Sequence, residues 1–198
     1  MNICIIGLGY VGLPLAVELS QHYKVIGYDI DKDKISELKK GKDITGELDK
    51  HQISKLKNIK ITDNILDSKT RIDFYIVTVP TPIDIDNKPN LEPLKSASRL
   101  IASKLKKGDI VVYESTVYPG VTEEECLPIL ESISSLKVNA DFGIGYSPER
   151  INPADKTRKI SQIVKVISAS NKYYLNEVKN IYSRIIDCVS IIHIWHPH

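Results

Sequence analysis

Charge of one sign is the first thing this sequence lacks. Its 27 lysines and arginines stand against 25 aspartates and glutamates, a net charge of +2. No global field therefore draws it to nucleic acid or an anionic membrane. Lysines gather between Lys39 and Lys60, but acids alternate with them, as on a solvated helix face. Long hydrophobic runs are missing too. None approaches the ~20 residues of a membrane span, and no secretory-type leader stands ahead of the first apolar run. Cysteine is scarce, and Cys4, Cys126 and Cys188 lack metal-site spacing. Cys4 alternates with isoleucines and the other two sit among apolar residues, so all three read as structural thiols of a cytoplasmic protein. There is no solenoid-length repeat and no low-complexity tract. What remains is 198 residues, 42% of them hydrophobic. That suits one large α/β domain burying about 70% of its unfolded surface.

The most informative stretch is the beginning. Ile3 to Ile6 reads as a strand buried on both faces. It breaks at Gly7-Leu8-Gly9-Tyr10-Val11-Gly12 and resumes as an amphipathic helix through His22. Gly7 permits a tight turn, Gly9 lets a pyrophosphate approach the backbone, and Gly12 lets the helix lie close to the strand. Free amides at the helix start face the anion. A second strand, Lys24 to Tyr28, ends at Asp29, seventeen positions after Gly12. An acid there matches the ribose-binding carboxylate of a dinucleotide fold, and favours NAD over NADP because it repels a 2′-phosphate. Lys34 either counters the cofactor's charge or is a solvated surface lysine.

Further strands are expected at 59–62, 73–79, 109–114, 142–146 and 163–167, with a short helix over 47–57. Helices follow over 91–105, from about Val121-Thr122, and over 171–184. Alternating strands and helices predict an α/β fold with a doubly wound, mostly parallel, Rossmann-type sheet. Ligands of such sheets bind beyond the carboxyl ends of the strands. Four turn-rich stretches fall there: Gly7 to Gly12, Pro80-Thr81-Pro82, Ser115-Thr116-Val117-Tyr118-Pro119-Gly120, and Ser147-Pro148-Glu149-Arg150-Ile151-Asn152-Pro153.

In that order, these four motifs resemble the nucleotide-sugar dehydrogenases, which act on UDP-glucose, UDP-N-acetylhexosamines or GDP-mannose. The Ser-Pro-Glu-Arg-Ile-Asn-Pro form, followed by Lys165-Val166, is most similar to the branch oxidising UDP-N-acetylglucosamine or UDP-N-acetylgalactosamine. The resemblance implies oxidation of a sugar C6 alcohol to a carboxylate with two NAD⁺ in succession. It also implies a role in surface polysaccharide biosynthesis and a full-length homodimer or larger assembly. Carried over by motif, Gly7, Gly9, Tyr10, Val11 and Gly12 hold the diphosphate, with Asp29 and Lys34 at the ribose. Thr81 and Thr116 lie along the cofactor. Thr116 also positions a water or the substrate hydroxyl, unless its own hydroxyl merely satisfies the turn. Glu149 assists proton handling, the alternative being a carboxylate paired with Arg150 or a helix start.

The family's cysteine nucleophile, lysine and asparagine match nothing here. The resemblance therefore implies the cofactor domain of a truncated enzyme. Residues 1–184 form that domain, and 185–198 are a last strand remnant and a tail, His193 to His198, unlike the family. No metal site is expected from its histidines. A different reading makes the chain a non-catalytic module that binds a dinucleotide or docks on a partner.

Overall fold

Side chains of the first strand, β1 (Asn2–Ile6), point alternately into two apolar cores. Ile3 and Ile5 belong to one, Cys4 and Ile6 to the other, and all four are at most 1% exposed. A period of two with both faces buried is what a central strand requires. The computed structural model describes residues 1–66, 69–83, 85–86, 88–149 and 164–194. The other strands are β2 (Lys24–Tyr28), β3 (Ile59–Thr62), β4 (Phe74–Val77), β5 (Ile110–Tyr113), β6 (Gly143–Tyr146), β7 (Val164–Ala169) and β8 (Cys188–Ile194). The helices are α1 (Gly12–Leu19), α2 (Lys32–Lys39), α3 (Lys50–Lys55), α4 (Glu92–Ala102), α5 (Leu127–Ser134) and α6 (Lys172–Tyr182).

The eight strands form one sheet in the order β3-β2-β1-β4-β5-β6-β7-β8. Pairing is parallel except between β6 and β7. The expected doubly wound, mostly parallel sheet is thus present, with one antiparallel step. Helices α1 and α6 cover the face holding Ile3 and Ile5, through residues such as Leu13, Val17, Val178 and Ile181. Helices α4 and α5 cover the other, through Leu94, Ile101 and Leu130. Chain order reverses between β1 and β4, which opens a crevice at their carboxyl ends.

The helix expected from Val121-Thr122 begins differently. Thr122–Cys126 is a π turn, in which the Leu127 amide reaches the Thr122 carbonyl, and α5 starts only at Leu127. Pro128 has no amide to offer the preceding turn, so the register slips there at little cost. Asp31 caps α2 by accepting the Lys34 amide at 3.0 Å. Cys4 and Cys126 are buried, but Cys188 is exposed. Its expected apolar setting fails because β8 is the outermost strand of the sheet.

Candidate functional site at the carboxyl ends of the strands

The β1–α1 corner is built by three constraints. Gly7 has φ +100°, a conformation that strains any side chain, and donates its amide to the Tyr28 carbonyl at 2.8 Å. Its own carbonyl accepts the Thr78 hydroxyl at 2.7 Å, which ties the corner to the end of β4. A Cβ on Gly12 would fall inside the van der Waals shells of the Gly7 carbonyl oxygen and Thr78 Oγ1. The helix can approach only because that atom is absent. At Gly9, by contrast, a Cβ would meet nothing within 4 Å. The open side of the corner therefore lies over Gly9. No side chain caps the α1 N-terminus; Leu13 donates its amide to the Gly9 carbonyl at 3.0 Å, and the amides ahead of it face an acceptor from outside the helix. Tyr10 is half exposed and Val11 is buried. An uncapped helix start beside an open glycine suits a diphosphate.

Asp29, at the end of β2, is 6% exposed and densely bonded. Its Oδ2 accepts the Leu8 amide at 2.8 Å and the Lys34 ammonium at 2.8 Å, while Oδ1 accepts the Asp31 amide at 3.0 Å. Lys34 is thus drawn off the open surface against a carboxylate. The two stand beside the glycine corner.

The β4 and β5 loops are stitched together. Thr81 donates its hydroxyl to the Thr116 carbonyl at 2.6 Å, and Ser115 donates to the Val79 carbonyl at 2.6 Å. Thr116 is exposed. The Tyr146 hydroxyl reaches the Val117 backbone, joining β6 to the same loop, and burial pushes that phenol above its ordinary pKa. Neighbouring strand ends thereby become one rim.

Glu149 stands just past β6, with its side chain 7% exposed. The Lys165 ammonium lies 3.9 Å from Glu149 Oε2 and 2.5 Å from Glu114 Oε2. Tyr182, from α6, donates its hydroxyl to the other oxygen of Glu114. Burial and the neighbouring carboxylates hold that phenol well above its usual pKa, so it remains a donor. Ser147 fastens the loop by donating to the Val166 carbonyl at 2.8 Å. Residues 150–153 of the same motif lie outside the described residues, as do Trp195, His196 and His198.

Sequence reasoning missed Thr78, Lys165's ion pairs and Tyr182. A threonine closing an apolar strand and a lysine inside one were visible signals, because a charge at such a place must find a partner. Tyr182 gave none, since it reads as one more apolar position of α6. Among the described residues, no group of three or more His, Cys, Asp or Glu could hold a metal ion, and no helix is long and apolar enough to cross a membrane.

Residues 1–186 match the UDP-glucose/GDP-mannose dehydrogenase family, NAD binding domain. A UDP-N-acetyl-D-glucosamine 6-dehydrogenase of Pseudomonas aeruginosa is 49% identical over 186 residues, covering 94% of this chain and 44% of that protein. Protein CapL of Staphylococcus aureus is 49% identical over 185 residues, covering 93% and 43%. The solved UDP-D-ManNAc dehydrogenase of Pyrococcus horikoshii superposes with a TM-score of 0.87 at 28% identity, covering 98% of this chain and 47% of that one. The chain spans less than half the length of the curated relatives it matches.

Proposed function

Because this chain belongs to the UDP-glucose/GDP-mannose dehydrogenase family and carries its NAD binding domain, we propose that it is the cofactor half of a UDP-N-acetylhexosamine 6-dehydrogenase. The observation that carries this reading is the 49% identity to a UDP-N-acetyl-D-glucosamine 6-dehydrogenase, on a chain whose β1–α1 corner is open and uncapped. The whole protein oxidises the C6 hydroxyl of the sugar to a carboxylate. The product serves surface polysaccharide synthesis in the cytoplasm, and the working assembly is a homodimer or larger. Residues 1–184 are the cofactor domain.

Bound NAD⁺ supplies the hydride acceptor. The corner formed by Gly7, Gly9, Tyr10, Val11 and Gly12 holds its diphosphate, and Asp29 with Lys34 takes the adenosine ribose. Thr81 sets the loop that lies along the cofactor, and the exposed Thr116 offers its hydroxyl to the substrate alcohol or a water. As hydride leaves C6, the alcohol must lose a proton, and Glu149 serves the network that receives it. A second oxidation at the same carbon needs a nucleophile, which a thiol supplies. Cys4 and Cys126 are buried and Cys188 starts the outermost strand. The chain alone therefore binds cofactor without completing the two-step oxidation.

An assay of the full-length protein tests this reading. Two NADH per molecule of UDP-N-acetylglucosamine, with UDP-glucose at least about tenfold poorer in kcat/KM, is the expected result. Equal or better turnover of UDP-glucose would overturn the substrate assignment.

A further inference from the structure

A buried group of four titratable side chains underlies the rim: Glu114 at the end of β5, Lys165 on β7, Tyr182 at the end of α6, and Glu149 beyond β6. We propose that Lys165 is a positioning residue, whose ammonium, anchored by Glu114 and Tyr182, keeps the Glu149 carboxylate ionised and in place at a site with little access to water. The inference rests on the proposed function only in treating Glu149 as the group that handles a proton.

The anchor is complete on one side. Both oxygens of Glu114, itself 1% exposed, are engaged, one by the Lys165 ammonium at 2.5 Å and the other by the Tyr182 hydroxyl. The same ammonium sits 5.4 Å from the centre of the Tyr182 ring, within reach of its π face. An ammonium has three donors, and one is used on Glu114. The next carboxylate it faces is Glu149, at 3.9 Å. Among the described residues, Lys165, Glu114 and Tyr182 are the titratable groups that these contacts bring to Glu149 from β7, β5 and α6. A carboxylate this buried takes up a proton unless a positive charge stands near. Among the described residues Lys165 is a charge so placed, and Glu114 keeps it from turning away toward solvent. A lysine serving only to brace three elements would need Glu114 and Tyr182 alone.

The full 198-residue chain, labelled with ¹³C at the glutamate carboxyls, distinguishes the two roles. The Glu149 resonance is identified by its loss in Glu149→Gln, and its midpoint is read by NMR titration. Lys165→Met should raise that midpoint by about one pH unit or more, an increase in proton affinity of about tenfold. Lys165→Arg should keep it near wild type. If Lys165→Met does not fold, Glu114→Gln/Lys165→Met removes both buried charges together and should show a smaller rise in the same direction, because the repulsion from Glu114 is lost with the ammonium. A midpoint unchanged in whichever of these variants folds, with only a lower melting temperature, would make Lys165 a brace and overturn the inference. NAD⁺ titration of the same wild-type sample reads the other question separately. Failure to bind sinks the cofactor assignment and leaves the Glu149 midpoints standing.

Discussion

Leu8 and Asp29 are joined by a 2.8 Å hydrogen bond from the amide of the glycine corner to the carboxylate closing β2. The residue assigned to the ribose is therefore also a strut of the diphosphate loop. Asp29→Asn retains an oxygen for the Leu8 amide but loses the charge that holds Lys34 at 2.8 Å. Preference for NAD⁺ over NADP⁺ should narrow by on the order of tenfold, as measured by competitive titration. Asp29→Ala should also destabilise the chain, by about 1–3 kcal/mol for the orphaned amide. Unchanged selectivity in both variants would make Asp29 a strut alone.

Two glycines of the same corner should separate folding from binding. Gly12→Ala places its methyl against the Gly7 carbonyl and Thr78, so the melting temperature should fall by several degrees along with cofactor affinity. Gly9→Ala has open space around the new methyl. It should leave the melting temperature within about a degree while weakening NAD⁺ binding on the order of tenfold or more. Intact binding in Gly9→Ala would move the diphosphate elsewhere.

Thr78 offers a similar test one layer below. Thr78→Val keeps the shape of the side chain and removes the hydroxyl that reaches the Gly7 carbonyl at 2.7 Å. A loss of about 1 kcal/mol in urea unfolding is expected, with weaker NAD⁺ binding because the corner is freer to move. A variant as stable as wild type would show that the β4 tie is dispensable.

Much of this architecture was legible along the chain because its signals are local. The alternation Ile3, Cys4, Ile5, Ile6, the spacing of Gly7, Gly9 and Gly12, and the acid closing β2 all lie within one βαβ unit. The direction of β7 was not legible, since an apolar run encodes burial but not whether its neighbour runs beside or against it. Nor was the Glu114, Lys165 and Tyr182 group. Glu114 is 51 residues from Lys165 and 68 from Tyr182, and no pattern of short period links them. The exposure of Cys188 was hidden for the same reason, because it follows from β8 being an edge.

Stability should carry a pH signature at the opposite end of the sheet. Asp109 is fully buried, accepts Arg71 at 2.7 Å and the Lys106 amide at 2.8 Å, and is pushed by burial up to about 6. The native state therefore holds this proton more tightly than the unfolded chain, whose aspartates titrate near 3.9. The group's contribution to stability falls as pH rises from about 4 to about 6, and is flat above. Urea unfolding across that window, wild type minus Asp109→Asn, should slope downward with pH. A flat or rising difference would place the Asp109 midpoint at or below its unfolded value.

The most direct measurement is calorimetric titration of the 198-residue chain with NAD⁺ and, separately, with NADP⁺. Saturable binding of one NAD⁺ per chain is expected, accompanied by a higher melting temperature, with NADP⁺ at least about tenfold weaker. Neither heat nor thermal stabilisation at millimolar NAD⁺ would contradict the account at its root.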